Sequence, residues 1–98
     1  MDLPELTEGV LDEATVETLF ADLAACTTGQ EVRVRRRLRR QEQGTVGLDE
    51  AQALLACGEA AAVQVRYWWK GESWIDTVIR RPDGYHVTRM QVPRRPAE

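Results

Sequence analysis

From residue 12 onward the hydrophobic positions take the period of a helix. Val16, Leu19, Phe20 and Leu23 fall at i, i+3, i+4 and i+7, one stripe of an amphipathic α-helix. Asp12 is a good N-cap, Leu11 and Val16 suit a hydrophobic staple, and Glu13 favours the positive helix start. Thr27-Thr28-Gly29 stops the pattern, so the first helix is predicted over residues 13–26. From Glu31 the period becomes two. Val32, Val34 and Leu38 alternate with Arg33, Arg35, Arg37 and Arg39, a strand pattern over 31–40 that Arg36 interrupts on its apolar side. Gln41-Glu42-Gln43-Gly44 reads as a loop. Leu48-Asp49-Glu50-Ala51 then echoes Leu11-Asp12-Glu13-Ala14, with Gln52 at the capping-box position. A short second helix over 49–57 follows, burying Ala51, Leu54 and Leu55 and closed by Gly58.

The last third reads as a meander. Residues 62–69 are rich in β-branched and aromatic side chains, Lys70-Gly71-Glu72-Ser73 supplies a turn, and 74–80 is a second strand. Arg81-Pro82-Asp83-Gly84 is the strongest turn signal in the chain and predicts a three-residue loop with Gly84 in the left-handed position. A further strand runs over 85–92 and ends at Pro93. The predicted order is α-β-α-β-β-β. The first strand, second helix and second strand suit a parallel crossover unit. The expected fold is therefore an α+β two-layer sandwich: a four-stranded mixed sheet with two helices on one face. In that register Val63, Val65, Tyr67, Trp69, Trp74, Val78, Met90 and Val92 share the helix-covered face. Gln64, Arg66, Trp68, Ile75, Thr77, Ile79, Tyr85, Val87 and Arg89 share the other. A one-residue slip of either hairpin would swap its assignments.

Length agrees with one core. At 98 residues, 1–98 reads as a single small domain, with a polar acidic N-terminal segment over 1–11 and a short C-terminal tail over 93–98. The chain is 43% hydrophobic and 30% charged, which points to a globular class rather than disorder. No apolar run approaches the roughly 18 residues of a membrane span, and the first residues lack a signal-peptide pattern. A cytoplasmic protein is the expectation. Cys26 and Cys57 lie in no CxxC and beside no histidine cluster, so no metal site or cofactor is read from them. Two small thiols buried at helix ends are expected, with one disulfide as the alternative.

Net charge changes the picture more than its value of −3 suggests. Residues 1–29 hold seven acidic side chains and no basic one, whereas 30–42 hold six arginines and two glutamates. Arg33, Arg35, Arg37 and Arg39 would project from one side of one strand, where like charges repel unless something negative covers them. Two readings follow. Acidic groups of the same chain or of a protein partner neutralise the stripe, or a nucleic-acid backbone does. No phosphate loop, recognised nucleic-acid motif or interleaved aromatic accompanies it.

Trp68 and Trp69 are adjacent, so in a strand they point to opposite faces and only one can lie under the helices. An outward Trp68 with Ile75, Ile79 and Tyr85 forms an apolar patch of the kind that contacts partners. Asp76 and His86 fall on one face in the predicted register, which allows an acid–base pair. No nucleophile or oxyanion site accompanies them, so a structural aspartate is preferred. An arginine counter-ion such as Arg66 or Arg89 would need a different register.

The leading expectation is a small non-enzymatic interaction or accessory module without cofactors. It docks a protein partner, or itself as a homodimer, through Arg33, Arg35, Arg37, Arg39, Trp68, Ile75, Ile79 and Tyr85. RNA or DNA binding through the Arg33–Arg39 stripe is the alternative, and a small-molecule enzyme using Asp76 and His86 is third.

Overall fold

The computed structural model describes residues 8–36 and 46–92. Along the chain these form β1 (Glu8–Leu11), α1 (Glu13–Cys26), β2 (Thr28–Arg36), α2 (Leu48–Cys57), β3 (Ala60–Trp69), β4 (Glu72–Arg81) and β5 (Gly84–Gln91). The α+β class holds. The sheet has five strands rather than four, in the order β1-β5-β4-β3-β2, and every neighbour pair is antiparallel. Leu38, Arg37, Arg39, the loop over 41–44 and the tail over 93–98 lie outside the described residues.

Helix α1 has the predicted bounds because its ends are set by local chemistry. Asp12 accepts from the Thr15 N–H at 2.8 Å, and Val16, Leu19, Phe20 and Leu23 are buried. The Thr27 N–H and hydroxyl donate to the Leu23 carbonyl at the other end. Helix α2 begins one residue early. Gly47 is its N-cap and contributes no side-chain bond, so the echo of the Asp12 cap at Asp49 is sequence likeness without the same role. Gly58 closes α2 in the left-handed conformation (φ 87°), which glycine adopts without strain.

The mixed sheet was the wrong expectation, and the path of α2 explains it. Val46 lies beside Val32, its N–H donating to the Val32 carbonyl at 3.2 Å. The chain is therefore back at the middle of β2 when α2 begins. Ten helical residues rise about 15 Å. That carries the chain to the Arg36 end of β2, where Ala60 enters opposite Arg36 and β3 runs antiparallel. No crossover is needed.

The N-terminal segment was also misread. Its last four residues are β1, which pairs with β5 from Glu8↔Thr88 to Leu11↔Tyr85. A strand this short is held by a partner more than 70 positions away, and nothing local announces it.

Both helices pack on one face. The core joins Val16, Leu19, Phe20 and Leu23 of α1 and Ala51 and Leu55 of α2 to Val32, Val63, Val65, Tyr67, Val78, Tyr85 and Val87 of the sheet. The β3–β4 faces match the expectation, but the pairing is shifted by two residues because Lys70-Gly71 rather than Gly71-Glu72 forms the turn: the pairs are Val63↔Val78, Val65↔Asp76 and Tyr67↔Trp74. The β4–β5 register does not. Arg81 pairs with Gly84, so the turn holds Pro82 and Asp83 alone, and β5 is rotated by one residue. Tyr85, Val87 and Arg89 lie inside, whereas His86 and Met90 lie outside.

Cys26 and Cys57 are the last residues of α1 and α2, as expected, and no disulfide joins them. The Cys57 side is exposed rather than buried. No helix among the described residues is long and apolar enough to cross a membrane.

Candidate functional site

The rotation of β5 decides which polar groups meet. On the covered face Asp76, fully buried, accepts from Arg89 Nε at 2.9 Å and Nη2 at 2.8 Å, a two-pronged pair. The Tyr67 hydroxyl donates to the same carboxylate at 2.8 Å. Burial pushes the Tyr67 phenol above its ordinary value, and the Asp76 charge and hydrogen bond add to the shift. Burial works against the Arg89 charge, but the bonds and charge of Asp76 outweigh it and hold the guanidinium above its usual value. With both oxygens bonded and no surface exposed, this carboxylate is not presented to a substrate in solvent.

His86 is on the opposite face, where its Nε2 lies 2.9 Å from the Asp83 carboxylate in the turn. That contact holds the Asp83 carboxyl below its ordinary range. Asp76 and His86 therefore do not form the acid–base pair that the predicted register allows, and Asp76 takes the structural role preferred from the sequence. Among the described residues no cluster of three or more His, Cys, Asp or Glu is placed to hold a metal ion.

The uncovered face is an ordered grid, since residues paired across antiparallel strands share a side. One row runs Arg33, Gln64, Thr77, Thr88, Glu8. Its neighbour runs Arg35, Ala62, Ile79, His86, Val10, and the row on the other side runs Glu31, Arg66, Ile75, Met90. Beyond it Trp68 faces Ser73. Trp68, Met90 and Val10 are 52%, 58% and 53% exposed. Trp68 leans over Gly29, where a Cβ would lie 3.1 Å from the indole Cδ1 and where the backbone φ is +61°. That glycine gives the indole its resting place at a bulge between Thr28 and Glu31.

Of the residues singled out from the sequence, Arg33, Arg35, Trp68, Ile75 and Ile79 share this face. Tyr85 does not: it is 8% exposed under the helices. Arg37 and Arg39 lie outside the described residues. Met90 and Val10 were missed. The Met90 signal was present in β5 itself, where apolar Tyr85 and Val87 alternate with polar His86 and Thr88. Judging β5 by that alternation, rather than by an assumed turn length, puts Met90 outside.

Among the described residues, the acidic groups of the first segment form no ion pair with the arginines of β2. Helix α1 carries Glu13, Glu17 and Asp22, α2 carries Asp49 and Glu50, and neither helix holds a basic residue. Both lie on the far side of the sheet from Arg33 and Arg35. Arg33 meets Glu31 of its own strand at 3.3 Å, and Arg36 meets Glu59 at 3.7 Å. No carboxylate among the described residues pairs with Arg35. The Arg33–Glu31 contact is exposed on both sides and contributes little to stability. Compared with known proteins, the chain matches no family model, no curated protein and no solved structure.

Proposed function

We propose that this chain is an interaction module that docks an acidic protein surface on the open face of its sheet. The observation that carries the reading is Trp68, more than half exposed beside Arg66, Ile75 and Met90 on the face that neither α1 nor α2 covers. An indole held in water exposes apolar area that a partner would bury, and tryptophan and arginine are enriched among residues that dominate binding. Charge supports an acidic partner over a second copy. Among the described residues this face carries Arg33, Arg35, Arg66 and Arg81 against Glu8 and Glu31, and the same face of a second copy brings the same surplus of positive charge.

Nucleic acid fits this face less well. Trp68 is its one Trp, Tyr or Phe among the described residues, so a ladder of stacked bases has a single rung. Ile75, Ile79, Met90 and Val10 offer aliphatic area that base stacking does not use.

The test is affinity capture with nuclease treatment, using the wild type, Trp68→Ala and, as a control on α1, Glu17→Gln. An acidic protein retained by wild type and Glu17→Gln but lost from Trp68→Ala, insensitive to nuclease, supports the reading. Equal capture by Trp68→Ala, or capture that nuclease abolishes, overturns it.

A further inference from the structure

The open face is not uniform. At its β2 side a shallow depression of about 240 Å³ lies among Arg33, Arg35, Ala62, Gln64 and Thr77. The grid explains its shape. Ala62 stands between Arg35 and Ile79, and its methyl leaves a gap that a larger side chain would fill. The rim is rich in donors: two guanidinium groups, the Gln64 amide and the Thr77 hydroxyl. Arg33 and Arg35 are two strand positions apart, about 6.6 Å, so both can reach one anion between them. Among the described residues Arg35 has no carboxylate partner, and Arg33 has only the exposed Glu31 contact. Next to this polar corner lie the apolar groups of Ile79, Ile75 and Met90.

We infer that this depression is a carboxylate subsite, taking an aspartate or glutamate side chain of the docked protein while neighbouring apolar side chains of that protein lie on Ile75, Met90 and Trp68. The inference rests on the docking reading above and adds the chemistry of the partner: acidic and apolar residues close together in one segment. Charge-assisted hydrogen bonds from arginine supply selectivity for the acid, and the apolar rows supply area. A free anion has the first without the second, so it should bind far more weakly than the same group on a peptide.

The experiment titrates the ¹⁵N-labelled full chain with three probes. One is a blocked peptide of glutamates among leucines, the second its glutamine counterpart, and the third succinate or inorganic phosphate. The expected result is saturable shifts of the Gln64 side-chain amide and the Arg33 and Arg35 Nε–H signals by the glutamate peptide. The other probes should bind about tenfold more weakly or worse, as should the glutamate peptide to Arg35→Gln. The proposal falls if the glutamine peptide binds equally, if a free anion saturates at the same concentration, or if the glutamate peptide leaves these signals unmoved. Arg33→Gln and Arg35→Gln in the capture assay separate this from the broader reading. Capture lost in Trp68→Ala but kept in both arginine variants leaves docking intact and removes the subsite.

Discussion

The two faces of the sheet treat arginine in opposite ways. On the covered face Arg89 is 5% exposed and its guanidinium is locked two-pronged onto Asp76, with Tyr67 completing the cluster. On the open face Arg35 is exposed and has no carboxylate partner among the described residues. The same side chain is a structural cross-brace in one place and a solvated donor set in the other. Burial makes the difference. A buried charge must be paired for the fold to exist, whereas a solvated one is free to wait for a partner.

That contrast is most exposed to failure at Arg89. Arg89→Ala should cost about 3–5 kcal/mol, because it leaves the Asp76 carboxylate buried without its counter-ion. Arg35→Ala should stay within about 0.5 kcal/mol of wild type. Urea denaturation of the two variants measures both, and similar losses would erase the distinction between the faces.

Tyr67→Phe comes next, with an expected loss of about 1 kcal/mol for one hydrogen bond to Asp76. It also carries a pH signature. The folded-state phenol of Tyr67 is raised, so its contribution is fully present below the ordinary phenol value of about 10. Above that value the unfolded chain loses its proton first, and stability falls as pH rises. Urea midpoints measured from pH 9 to 11 should drop in wild type and drop less in Tyr67→Phe. Parallel curves would show that this phenol titrates alike in both states.

On the open face the comparable test is Gly29→Ala. A side chain at a φ of +61° is strained, and its Cβ would press on the Trp68 indole at 3.1 Å. The expected loss is about 1 kcal/mol, accompanied by a change in Trp68 indole signals that Arg89→Ala does not produce in its folded fraction. Arg80→Ala should cost about 1 kcal/mol or less, from loss of the guanidinium that donates to the Leu55 and Ala56 carbonyls at the end of α2. Hydrogen exchange confined to the last turn of α2 would locate it.

Those carbonyls also show how far residue patterns reach. Asp12, the Val16-to-Leu23 stripe and the Thr27 stop place α1 without reference to anything distant. Lys70 and Gly71 form a tight turn between β3 and β4, so the parity of Val63, Val65, Tyr67 and Trp74 could be read along the chain. Pro82 and Asp83 signal a turn just as clearly but not its length, and one residue of length exchanges the faces of Tyr85 and His86. With that exchange went Tyr85 from the candidate site, Met90 into it, and the Asp76–His86 pair altogether.

Local pattern determined the helices, the strand identities and the alternation that exposes Trp68, because caps, turns and periodicity act within a few residues. Tertiary structure alone decided that β1 exists, that the sheet is wholly antiparallel, and that Arg89 rather than His86 meets Asp76. It also decided that the acidic helices and the arginines of β2 lie on opposite sides of the sheet. Each of these is a contact between segments far apart in the chain, chosen by which pairing buries apolar area while leaving no buried charge alone.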